Sequence, residues 1–211
     1  MAQGLRLDPT DAAGLTQMGI AHWSSGDLER ARHFLQRSYD LGFAPVAGWL
    51  ASLLAQQGKA QEAREIWRAF GSAAPGRYVP ELESPEAWDD LGAALLTNDA
   101  VTLGRVAQPL ADYLAQPGAR ANTYRLLMLV AAGHPADAMR LFVENPYPIN
   151  AAFVYPIWID GGGFTELRRH PDFPAFAERI GLVDAWNAHG WPARCEQLPQ
   201  LEEDSPAFRC D

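Results

Sequence analysis

The chain of 211 residues is long enough for one large domain or two small ones, and its hydrophobic share of 48% can bury a substantial core. A net charge of −9 and a pI near 5.0 argue against a nucleic-acid-binding surface, because neutralising phosphates takes clustered Lys and Arg. No apolar run approaches the ~20 residues of a membrane-spanning helix, and Met1–Asp8 lack the apolar stretch of a signal peptide. The two cysteines, Cys195 and Cys210, cannot complete a structural zinc site without two histidines, and no Cys-x-x-Cys pair is present.

Apolar spacing and turn residues predict a series of helix pairs from the N-terminus onward. They are Asp11–Ser24 with Leu28–Leu41, Pro45–Gln57 with Ala60–Phe70, Pro85–Thr97 with Ala100–Ala115, and Arg120–Ala132 with Pro135–Glu144. Ser72–Ser84, with Pro75, Gly76 and Pro80, reads as a longer connection, and Pro109 should kink or restart its helix by removing a donor. No strand pattern competes anywhere in the chain.

The pairs are related to one another. Gly26-Asp27-Leu28-Glu29-Arg30-Ala31, Gly58-Lys59-Ala60-Gln61-Glu62-Ala63 and Gly133-His134-Pro135-Ala136-Asp137-Ala138 each place Gly five residues before Ala. A bulky apolar residue follows four after the Ala: Leu35, Trp67 and Phe142. Trp88-x2-Leu91-Gly92-x2-Leu95 supplies a first-helix pattern, which Leu15 and Met18-Gly19-x2-His22 match in part. These motifs resemble tetratricopeptide (TPR) repeats, in which small residues let antiparallel helices approach and large ones fill the gap between pairs. Pro45 and Pro75 close the first two repeats, and the Trp88 segment with Val101–Ala115 is a degenerate third. Leu7-Asp8-Pro9 looks like the end of an earlier repeat, so Met1 is expected to begin a fragment of a longer protein. The resemblance implies an all-α antiparallel helix-pair solenoid over residues 1–149, with a capping helical segment over 150–211 packed on it as one unit.

After Asn145 the pattern changes. Phe164, Leu167, Phe173, Phe176, Ile180, Leu182 and Trp186 fall near helical spacing, broken by Gly161–Gly163, Pro171 and Gly181, and should cap the last repeat. Asp172 or Thr165 is placed to cap a helix start. The tail is similar to the end of TPR regions in bacterial signalling proteins that carry a winged-helix DNA-binding domain and a transmembrane helix, or a nucleotide cyclase. Leu167-Arg168, Pro171, Phe173, Gly181-Leu182, Trp186, Trp191-Pro192, Cys195 and Cys210 carry the match, and His170, Ala185 and Ala193 depart from it. The resemblance implies a periplasmic sensor region and with it a Cys195–Cys210 disulfide; two free thiols in a cytosolic protein are the alternative. Closing that short loop contributes about 3 kcal/mol in the chain-entropy model.

Catalytic constellations are scarce. His22, His33, His134, His170 and His189 are scattered, and His22 takes an aromatic packing position. His189 stands six residues before Cys195, but a second nearby cysteine favours bridging over a Cys-His pair. Gly161-Gly162-Gly163 lacks the Lys-Ser/Thr of a phosphate loop and reads as a joint, and Glu202-Glu203-Asp204 as a solvated face. The expectation is a non-enzymatic chain with no cofactor and no metal. Its partner would be a protein or peptide, or a small ligand, held in the concave groove lined by first helices. Groove candidates are Thr16, Ile20 and Trp23, then Ser52, Ala55 and Gln56, then Arg120 and Thr123. Of the tryptophans, Trp49, Trp67, Trp88, Trp158, Trp186 and Trp191 are expected in the core, with Trp23 the best exposed platform. The Lys and Asn set with which chaperone-binding TPRs clamp a carboxylate is missing from these positions. A scaffold that self-associates, for instance as a homodimer, is the rival expectation, and membrane attachment would come only through a missing upstream segment.

Overall fold

The computed structural model describes residues 8–73, 85–97, 99–116, 126, 129–144, 156–160, 163–198 and 208–211. These are predominantly helical. Helix α1 (Ala12–Ser24) packs on α2 (Leu28–Asp40), and a short 3₁₀ turn, Ala44–Val46, leads into α3 (Ala47–Gln56), which packs on α4 (Ala60–Ala73). Helix α5 (Pro85–Thr97) pairs with α6 (Ala100–Leu114), and α2 with α3 and α4 with α5 are also in contact, so each pair meets the next. Helix α7 (Pro135–Glu144) follows; of its expected partner at 120–132, 126 and 129–132 are described, the first four as helical and 132 in the turn.

The helix ends follow from local chemistry. Asp11 accepts a hydrogen bond from the Gly14 N–H, and Asp27 from the Arg30 N–H, so each caps the helix it precedes. At the far end of α1, Gly26 has φ +83°, its N–H donating to the Trp23 carbonyl and the Asp27 N–H to that of His22, both at 2.9 Å. The same two-bond closure recurs at Gly58, where Lys59 reaches Leu54, and at Gly133, where His134 reaches Leu129. Left-handed backbone costs glycine least, and this motif returns the orphaned terminal carbonyls to hydrogen-bonded partners. The Ala five residues on is fully buried each time, at Ala31, Ala63 and Ala138, with Leu35, Trp67 and Phe142 buried one turn later.

Two interhelical contacts are unusually close. A Cβ on Gly19 would overlap the Leu35 side chain, so α1 and α2 approach only because residue 19 has none. Between α4 and α5 the arrangement is reciprocal: the Trp67 indole lies on Gly92 and the Trp88 indole on Gly71. The rings stack with centroids 4.6 Å apart. Each indole N–H donates to the other residue's carbonyl, at 2.9 Å from Trp67 and 3.3 Å from Trp88. Buried tryptophan thus brings its polar atom to a partner, as burial demands.

Two expectations are corrected. Helix α6 does not restart at Pro109 but continues through it; Pro109 is exposed, and on that side water can serve the carbonyl that proline leaves without a donor. The chain is also not purely helical. After α8 (Gly163–Arg169), α9 (Phe173–Arg179) and α10 (Leu182–His189) come β1 (Cys195–Gln197) and β2 (Phe208–Cys210), an antiparallel pair with Cys195 opposite Cys210 and Gln197 opposite Phe208. Phe208 points inward and is fully buried against Phe173, Trp186 and Trp191, while outward-facing Arg209 pairs with Glu196 at 2.7 Å. Three-residue strands are too short for a period-two signal. Helix α7 packs on α8 and α9, and the buried Gly163 lies against the Val130 carbonyl, joining the capping helices to the last pair.

Candidate functional site

The first-helix residues expected to line a groove divide into two groups. Thr16, Ile20 and Trp23 are buried, at 6%, 2% and 7% exposure, and offer no open platform. Thr16 Oγ1 lies 2.8 Å from Ser38 Oγ on α2 and bonds the Ala12 carbonyl. With Gly19 and Trp23 it forms the stripe by which α1 meets its neighbours, so the residues expected to face a groove lie on the packing side of the helix. Trp23 is edge-on to Trp49 on α3, centroids 6.4 Å apart, and donates from Nε1 to Gln56 Oε1 at 2.8 Å. Gln56 is exposed, Ala55 half-buried, and half-buried Ser52 one turn earlier bonds the Gly48 carbonyl of its own helix. Trp23 and Gln56 are therefore brought together, with Ser52 beside them, and Arg120 and Thr123 lie outside the described residues.

The face of α1 turned away from α2 carries Gly14, Gln17, Met18, Ala21 and Ser24. At 100° per residue Gly14, Met18 and Ala21 fall opposite the Thr16–Gly19–Trp23 stripe, with Gln17 and Ser24 flanking them. A face open to solvent would leave them exposed, yet all five are half-buried. The 3₁₀ turn Pro156–Trp158 packs against α1. The Gln17 Oε1 atom is buried with no hydrogen-bond partner among the described residues.

Behind that turn sits a charged clamp. Arg168 on α8 is 2% exposed. Its Nη1 donates to the Ile157 and Ile159 carbonyls at 2.6 and 3.1 Å, and its Nε to the backbone oxygen of Asp211. Asp160 lies 3.7 Å from Arg168 Nη2 and forms a two-pronged pair with Arg194, and the Asp211 N–H donates to the Arg194 carbonyl. Burial lowers the Arg168 pKa from its usual value, with the Arg194 charge adding to that and Asp160 opposing it. The Arg194 hydrogen bond holds the Asp160 carboxyl below the usual range. A buried guanidinium is tolerable only when its donors are met, and here backbone carbonyls meet them. Cys195 and Cys210 are joined in a disulfide, which ties the strand carrying Arg194's neighbour to the chain end.

Arg168 is not among the expected groove residues, though its position is legible in the sequence: Phe164, Leu167 and Arg168 share one helical stripe, and all three are buried. Its ligands are not, because they come from three separate segments. Elsewhere, half-buried His22 stacks on Phe34 with centroids 5.3 Å apart, and His189 is exposed while Cys195 is bridged. Asp172 occupies the position before α9 without a side-chain capping bond, and the Thr165 hydroxyl instead meets Arg168 at 3.4 Å. Trp67, Trp88 and Trp186 are buried in the core, and Trp49, Trp158 and Trp191 pack partly buried against it. Gly161 and Gly162, like Glu202–Asp204, lie outside the described residues. No group of three metal-ligating side chains occurs among the described residues, and no described helix is long and apolar enough to cross a membrane. No family model, curated protein or solved structure matches this chain.

Proposed function

We propose that the chain is a non-catalytic protein-interaction or sensory module of TPR type, part of a bacterial membrane-linked signalling or transcriptional regulatory protein. Residues 1–149 form the array and 150–211 its cap. The observation that carries the reading is the turn that recurs at Gly26, Gly58 and Gly133, each with the same backbone closure and the same buried Ala and large apolar residue behind it. Such a repeat stacks helix pairs and leaves an inner face of first helices for a partner peptide, protein or small ligand. The Cys195–Cys210 bond supports a periplasmic setting, since such bonds persist in oxidising compartments.

A photo-reactive amino acid placed at Gln56 tests the binding face, with one at exposed Glu29 as the control. Illumination in bacterial cells is expected to give an adduct confined to the Gln56 position. Equal adducts at both positions, or none at Gln56, would refute the reading. An adduct of twice the chain mass would assign the face to a second copy and favour the scaffold.

A further inference from the structure

We propose that the turn Pro156–Trp158 is a plug: it closes the inner face of the first helix in cis, and the buried Arg168 holds it there. The chain is thus built with its N-terminal binding face occupied by its own capping segment. That this covered face is a binding face rests on the function proposed above; that it is covered does not.

Three observations converge. First, α1 is half-buried on the side facing away from α2, at Gly14, Gln17, Met18, Ala21 and Ser24. The turn Pro156–Trp158 packs on α1, with Pro156 and Ile157 buried and Trp158 set edge-on to Trp186 at 5.8 Å. Second, Gln17 Oε1 on this helix is buried without a hydrogen-bond partner among the described residues. A closed face with an unmet acceptor is one that a donor from a bound peptide would satisfy better than the plug does. Third, the turn is held from behind by donors that must all be ordered together. Arg168 binds the carbonyls on either side of Trp158, at Ile157 and Ile159, and the same guanidinium binds Asp211 next to the disulfide. Asp160, at the end of the turn, pairs with Arg194 at the foot of β1. Freeing the plug therefore means breaking the clamp, and whatever loosens the clamp should loosen α1. A partner that inserts between α1 and the turn would gain the groove only by offsetting the cost of those contacts, so closed and open forms differ by a defined set of bonds.

Hydrogen–deuterium exchange on the full oxidised chain tests this without any partner. In Arg168→Met, residues 156–160 and α1 should both exchange faster by about tenfold or more, the size expected when hydrogen bonds from a charged donor are lost. The α4–α5 core around Trp67 and Trp88 should be unchanged. Asp160→Asn, which alters an exposed carboxylate, should give a smaller acceleration in the same two places. The proposal is overturned if α1 stays protected while 156–160 opens, or if all helices accelerate together. It is equally overturned if Asp160→Asn leaves both segments at the wild-type rate when Arg168→Met does not fold. Joint opening of α1 and the turn, with no adduct at Gln56 in the cross-linking experiment, would keep the plug and discard the binding function.

Discussion

Substituting alanine at Gly92 and at Gly104 should move stability in opposite directions, and the reason is local. Both glycines lie inside helices, α5 and α6. In a helix interior the change from Gly to Ala is favourable by about 0.5–1 kcal/mol, because alanine loses less backbone freedom on folding. At Gly104 no atom of the described residues lies within 4 Å of the added methyl, so Gly104→Ala should be stabilising by about that amount. At Gly92 the methyl would overlap three atoms of the Trp67 indole, with Cε2 at 2.7 Å. That ring cannot step aside: it is 3% exposed, stacked on Trp88 at 4.6 Å and hydrogen-bonded to the Trp88 carbonyl at 2.9 Å. Overpacking of this kind costs about 1–3 kcal/mol, and contacts this short belong at the upper end, so with up to about 1 returned by helix propensity a net loss of about 2 kcal/mol remains. Urea unfolding followed by tryptophan fluorescence reads both variants as shifts in midpoint, with the slope checked for constancy. A neutral or stabilising Gly92→Ala would show that the two helices are not held at the Trp–Gly separation described. A destabilising Gly104→Ala would show that α6 is covered where it is open here.

Two further outcomes follow from the caps and the clamp. Asp27→Ala should cost about 1 kcal/mol by leaving the Arg30 N–H without its acceptor, whereas Asp27→Asn should cost less because the amide oxygen can still cap; urea midpoints that rank the two the other way would contradict the cap. Asp160 has its pKa lowered on folding, chiefly by the Arg194 hydrogen bond, so its stabilisation is present above the unfolded carboxylate value of about 3.9 and is lost as pH falls through the lower folded value. The stability advantage of wild type over Asp160→Asn should accordingly be full near about pH 6 and shrink progressively below about pH 4; an advantage that stays constant over that range would show that the carboxylate charge is not what matters.

Helix placement was legible in the residues themselves. Pro85–Thr97 and Pro135–Glu144 are where the spacing put them, and Asp11, Asp27 and the glycines at 26, 58 and 133 mark ends because capping and left-handed turns are decided within about five residues of chain. Burial of Ala31, Ala63 and Ala138 was equally legible, since each recurs at one distance from its turn. The phase of α1 was not. That helix is apolar on several faces, so its pattern does not say which face meets α2, and Trp23 turned out to be buried against Trp49 and Gln56. Nor did local pattern reveal the β1–β2 ladder, whose strands are too short to show alternation, although the pairing of its two cysteines was anticipated through resemblance. The clamp and the plug depended wholly on tertiary structure. Arg168 finds its acceptors at Ile157, Ile159 and Asp211, and the turn beside them meets a helix near the other end of the chain. Periodicity reports which side of an element is buried; what it is buried against is decided by segments distant in sequence that meet only when the chain folds.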